Sequence, residues 1–229
     1  MKKILALLLA LIVFAAVLSG CSKKEEPSSE IPVSSREEFL PESSEPEPEP
    51  EPETDPEPKK VLIIYFSRAG ENRNVGEVEE GNTAKVAKEI AKQTGGDLFE
   101  LVTVEEYPSD YEEMLKVAQQ EQDDMARPEL VALPDNIEDY DEIYLGYPIW
   151  HGDMPMAIYT FMDRVDIGGD MPLHLFITHE GSRTAGTNET IRRYYPYARL
   201  SQPLTIYGSV AQNYPDDVAH DVAEWIASF

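Results

Sequence analysis

One cysteine, four histidines and 19 basic side chains in 229 residues close off several chemistries at once. The lone thiol, Cys21, can form no disulfide within the chain and can build no cysteine-based metal site. The histidines are scattered, with no spacing suited to metal ligation, and His220 stands among aspartates as part of a solvated helix face. Basic residues are outnumbered by 44 acidic ones, for a formal net charge of −25. That field argues against nucleic acid or anionic lipid headgroups as surface partners. A long apolar run is missing too. Ile4 to Leu18 is about 15 residues, where a bilayer span takes roughly 20.

What is present at the amino end is a leader pattern. Lys2 and Lys3 precede the apolar run, and Leu18-Ser19-Gly20-Cys21 follows it. This ending resembles the bacterial lipoprotein signal. The resemblance implies cleavage before Cys21 and diacylglyceryl transfer to its thiol, giving a stable anchor through acyl chains such as palmitate. Residues 1–20 are thus expected as signal peptide. Residues 21–59 are rich in Ser, Glu and Pro, ending in alternating Glu-Pro pairs. Such a stretch has too little apolar surface to offset its chain entropy, and proline alternation favours extended polyproline II. It is expected to be a semi-rigid tether whose Pro-rich part reaches roughly 40 Å. The folded domain is expected from residue 60 to the end.

Within that domain, strand and helix patterns alternate. Val61 to Phe66 is a continuous apolar run suited to a strand buried on both faces. Further strands are expected at Leu98 to Val104, Glu142 to Tyr147, Pro172 to Thr178 and Leu204 to Val210. Helices are expected at Thr83 to Thr94, Tyr111 to Met125, Pro155 to Val165, Thr187 to Tyr195 and Pro215 to Phe229. Five-fold β-α alternation implies a three-layer, doubly wound α/β domain, with a parallel five-stranded sheet in the order 2-1-3-4-5. Ligands of such sheets sit beyond the carboxyl ends of the strands, where the winding reverses. The loops after Phe66, Tyr147 and Ile177 are therefore the ones to inspect.

The first loop opens on Ser67 and closes on Gly81-Asn82-Thr83, a glycine and two polar donors at a helix start, which suits a phosphate. The second carries Pro148, Ile149, Trp150, His151 and Gly152. Trp150 could present a flat face to a ring, and Gly152 permits an unusual turn. The third carries Thr178, His179, Glu180, Gly181 and Ser182, small and polar residues that leave room for a planar ligand. Taken together, Val61 to Phe229 resembles the flavodoxin family, which binds FMN. The resemblance implies that Ser67, Asn82 and Thr83 hold the ribityl phosphate, and that Pro148 to Gly152 and Thr178 to Ser182 flank the isoalloxazine ring.

Two departures bear on function. About 13 residues, Arg68 to Glu80, are inserted between the halves of the phosphate loop, which suggests a flap over the ligand or a partner. The third loop also lacks an aromatic cover for the outer ring face, with His179 the nearest substitute. A membrane-tethered electron carrier with an unidentified redox partner is the leading expectation. The alternative is an FMN-dependent NAD(P)H oxidoreductase of quinones or of nitro or azo compounds, with His151 or His179 as proton donor. A third is a non-redox ligand-binding lipoprotein.

Overall fold

The computed structural model describes residues 58–229. The expected leader, Cys21 and all but the last two tether residues lie outside the described residues. In chain order the elements are β1 (Val61–Tyr65), a hairpin of β2 (Gly70–Asn72) and β3 (Gly76–Val78), α1 (Asn82–Thr94), β4 (Asp97–Glu100), α2 (Tyr111–Asp123), β5 (Glu142–Pro148) and α3 (Met156–Arg164). There follow β6 (Pro172–His179), α4 (Thr187–Tyr194), the short β7 (Arg199–Leu200), β8 (Leu204–Tyr207), α5 (Gly208–Asn213) and α6 (Pro215–Ile226).

β1 is buried at every position and pairs in parallel with β4 on one side and β5 on the other. β6 pairs with β5, and the far side of β6 is shared by β7 at its start and β8 at its end. With β7 and β8 read as one interrupted strand, the order is second, first, third, fourth, fifth. Strand side chains alternate between faces, so β1 feeds two cores. Leu62 and Ile64 join Met114 of α2, Phe161 of α3 and Ile191 of α4. Val61, Ile63 and Tyr65 join Val86 and Ile90 of α1, Ala211 of α5 and Val222 of α6. The result is the three-layer doubly wound sandwich expected from the β-α alternation.

Several boundaries differ from the periodicity. The second strand stops at Glu100 rather than Val104, because the last bond to β1 is Leu101 N–H to the Tyr65 carbonyl. Beyond it the chain turns to an antiparallel bridge, Thr103 with Leu130, which leaves Val102 and Val104 exposed. The fifth strand stops at Tyr207 rather than Val210, since Gly208 begins α5 and the Ser209 N–H is taken by Glu180 Oε1 at 2.9 Å. α2 ends at Asp123, two residues short, where Met125 adopts φ 50° and breaks the helical run. Among the described residues no helix is long and apolar enough to cross a membrane.

Candidate functional site

The two halves of the first loop, far apart in sequence, meet in space. A Cβ built on Gly81 would stand 2.3 Å from Ser67 Oγ and 2.5 Å from the Arg68 carbonyl oxygen, so only glycine lets the loop close. Gly81 caps α1 with φ −67°, an ordinary conformation; the requirement is space. The Ala84 N–H donates to Ser67 Oγ at 3.1 Å, which ties the end of β1 to the start of α1. Helix geometry leaves the N–H groups of Asn82 and Thr83 without intrahelical acceptors, at the positive end of the helix dipole. Thr83 itself is buried, and its hydroxyl is 2.7 Å from Thr178 Oγ1. Its side chain therefore pins α1 to the end of β6, and the group it could offer a ligand is its backbone N–H.

The second loop is a tight turn. Trp150 and Asp153 exchange both backbone hydrogen bonds, at 2.8 and 2.9 Å, around His151 at φ 46° and Gly152 at φ 77°. Two consecutive positive φ values define a type I′ turn, which explains the glycine. Trp150 does not offer the open face expected of it. Its side chain is only 8% exposed and meets Phe66 and Tyr107 edge to face, with centroids 5.3 and 5.0 Å away. Burial of a large apolar ring outweighs its display to solvent. His151 is exposed, and its Nε2–H donates to the Leu115 carbonyl at 2.9 Å, which docks the turn against α2. Gln122 Nε2 donates to the Trp150 carbonyl at 2.9 Å and reinforces that docking.

In the third loop, the Gly181 N–H donates to His179 Nδ1 at 2.8 Å. That bond reserves the Nδ1 lone pair, so the neutral ring carries its proton on Nε2. His179 is 5% exposed, packs against Tyr207 with tilted rings whose centroids are 4.5 Å apart, and burial lowers its pKa from the ordinary histidine value. At neutral pH it is an uncharged donor through Nε2. Glu180 is a strut: Oε1 accepts from Ser209 N–H and Oε2 accepts from Asn74 Nδ2 at 2.8 Å.

Asn74 belongs to the inserted segment, which is folded. β2 and β3 pair antiparallel from Gly70 with Val78 to Asn72 with Gly76. Arg68 at the root donates through Nη1 to the carbonyls of Pro108 and Ser109, at 2.8 and 3.1 Å. Glu71 Oε2 accepts from the Tyr111 N–H at 3.2 Å. The hairpin thus runs from the start of α2 to the third loop.

Hairpin, loops and α2 enclose one cleft of about 300 Å³. Of the expected cofactor residues, Asn82, Pro148 to Gly152, Thr178, His179, Glu180 and Ser182 line it. Ser67, Gly81, Thr83 and Gly181 do not line it: Ser67 borders a separate hollow with Arg68 to Gly70, Gly81 and Thr83 are buried, and Gly181 is exposed. The rest of the wall is Asn72 and Arg73, from the inserted segment expected as a flap over the ligand or a partner, and Tyr111, Met114 and Leu115 from the first turns of α2, to which the loops did not point. Tyr111, half-buried, adds a second aromatic residue to the wall beside the mostly buried Trp150. Among the described residues no group of three or more His, Cys, Asp or Glu side chains could hold a metal ion.

A family model described as Flavodoxin matches residues 60–227. The chain belongs to the flavodoxin family. No curated protein matches the sequence. Among solved structures, a protein from Bacteroides eggerthii assigned as a flavoprotein is 25% identical with a TM-score of 0.54, covering 70% of this chain and 98% of that one. A counterpart from Bacteroides uniformis is 23% identical with a TM-score of 0.57, covering 74% and 98%. A Lactobacillus acidophilus flavoprotein, solved in complex with FMN, is 20% identical with a TM-score of 0.53, covering 73% and 99%. In this flavodoxin the hairpin of β2 and β3 is threaded through the first loop, between Ser67 and Gly81. The loop nevertheless closes, because Gly81 lets Ser67 and Arg68 return to the helix start.

Proposed function

We propose that this flavodoxin-family domain binds FMN in the cleft and carries electrons at the outer face of a bacterial membrane, where lipid on Cys21 anchors it outside the cytoplasm. The observation that carries the reading is the meeting of three loops, from the carboxyl ends of β1, β5 and β6, on one cleft beside the start of α1. The residues present fit the group. Gly81 leaves a closed cradle, Asn82 and Thr83 turn free N–H groups toward a phosphate, and Tyr111, Met114 and the type I′ turn suit a flat ring. A protein of the same fold was solved with FMN.

When bound, FMN supplies the redox chemistry. The chain's residues supply position and charge. Asn82 and Thr83 hold the phosphate end; Pro148 to Gly152 and Tyr111 orient the ring; His179 holds a proton on Nε2 and offers it as a neutral hydrogen-bond donor. The acidic surface disfavours added negative charge on a bound group and so lowers its reduction potential.

Titration of FMN into the full chain is expected to quench flavin fluorescence to a one-to-one endpoint. No quenching at micromolar protein removes the reading. The anchor has its own test. Cys21→Ser is expected to move the protein from the membrane to the soluble fraction with FMN affinity unchanged, and retention in the membrane counts against lipidation. A second reading, an FMN-dependent NAD(P)H oxidoreductase of quinones or of nitro or azo compounds, is favoured by the neutral Nε2–H of His179 in a cleft without an aromatic cover from the third loop. A steady-state rate with NADH and a soluble quinone no faster than free FMN excludes it.

A further inference from the structure

The inserted hairpin brings one arginine to the lining of a cleft that has no other strong cation among the described residues. Among the described residues, Arg73 is the one lysine or arginine in the cleft lining. Its side chain is exposed and pairs with no carboxylate of the described residues. Its backbone position is held from both sides. Glu71 accepts from the Tyr111 N–H at 3.2 Å, and Asn74 donates to Glu180 at 2.8 Å. The neighbouring acid, Glu180, has one oxygen engaged by Ser209 and the other by Asn74. Asn82, the first residue of α1, lines the same cleft. The start of that helix and Arg73 therefore border the same cleft.

We propose that Arg73 binds the phosphate of the flavin nucleotide, which makes the inserted hairpin a working part of the cofactor site. The inference rests on the FMN reading above. A dianion entering a chain of net charge −25 meets a repulsive field, and neutral N–H donors at a helix start offset only part of it. A guanidinium adds a full charge and paired donors that match phosphate oxygens. Because the Arg73 side chain holds no other element of the described residues, its loss removes the charge and leaves the hairpin standing. The contact also sets specificity. Riboflavin has the same ring without the phosphate, so Arg73 selects the nucleotide over the unphosphorylated flavin.

The test is fluorescence titration of the full chain, wild type, Arg73→Gln and Arg73→Lys, with FMN and with riboflavin, at low and at high salt. Arg73→Gln is expected to weaken FMN binding by about 10- to 100-fold and to leave riboflavin binding within about twofold. Arg73→Lys is expected to recover part of the loss, and high salt to narrow the gap between wild type and Arg73→Gln. Equal losses for both flavins, or FMN affinity unchanged in Arg73→Gln, overturn the inference and leave the FMN reading in place. A wild type that binds neither flavin overturns both.

Discussion

At Gly81 a single methyl group tests the closure of the phosphate loop. Its Cβ would overlap Ser67 Oγ and the Arg68 carbonyl, and one of these is backbone. Gly81→Ala is therefore expected to cost about 1–3 kcal/mol in urea unfolding, and to weaken FMN more than riboflavin because the damage lies at the phosphate end. The two aromatic residues of the cleft wall separate stability from binding. Trp150→Ala removes a buried ring packed between Phe66 and Tyr107 and is expected to cost about 3–5 kcal/mol. Tyr111→Ala removes a half-buried ring from the wall. Its stability cost is expected below about 1.5 kcal/mol, with the larger effect on flavin affinity. Similar losses of affinity and stability in both variants would show that the ring surface has been misplaced. Trp150 was visible in sequence as a tryptophan just past a strand end. Its burial was not, because Phe66 and Tyr107 reach it from two other segments.

Among the elements, the hairpin is the one whose role the sequence left most open. Its length was legible as an interruption between Ser67 and Gly81. Its fold depends on partners remote in sequence: Ser109 and Tyr111 at the start of α2, and Glu180 after β6. Glu180→Ala removes both bonds that Glu180 makes, to Ser209 and to Asn74. The hairpin is small and buries little, so its hydrogen bonds carry much of its order. Faster amide exchange at Gly76 to Val78 is expected, with exchange in β1 and β5 unchanged. Unchanged protection throughout would falsify the strut role. The strand ends make the same point. Val102 and Val104 continue an alternating pattern, yet β4 ends at Glu100 because the paired length of β1 runs out.

On the scale of the whole domain, the sheet has a second polar cluster at the end opposite the cleft. His174 on β6 is 3% exposed, bonded through Nδ1 to Ser201 at 3.0 Å and stacked at 3.8 Å on Phe229. Tyr144 and Trp225 also pack on it. Glu142, itself bound to Lys59 at 2.9 Å, lies 3.8 Å from Nε2, and Arg199 stands nearby. Burial pushes the His174 pKa down to about 4 from 6.5, with Glu142 opposing and Lys59 and Arg199 assisting. A depressed histidine pKa means that the unfolded chain binds the proton first. Stability is then full above pH 6.5 and falls as pH drops toward about 4, with a slope of up to about 1.4 kcal/mol per pH unit. In His174→Phe, this one-proton part of the slope is expected to vanish from urea midpoints measured between pH 4 and 7. A slope identical to wild type would place the proton elsewhere.

The sequence alone determined the architecture. A buried apolar strand, five β-α repeats and glycine-bearing loops at three strand ends are local patterns, and a parallel sheet with right-handed crossovers leaves few ways to connect them. It determined the family and most of the cleft lining for the same reason: strand order brings those loops together whatever lies between. The tertiary structure decided which side chains face the space. Trp150 turned inward because apolar area favours burial. Thr83 turned to Thr178 because a buried hydroxyl needs a partner. Tyr111 and Arg73 entered the wall from segments whose position is set by hydrogen bonds across the sheet top, and no local pattern records such bonds.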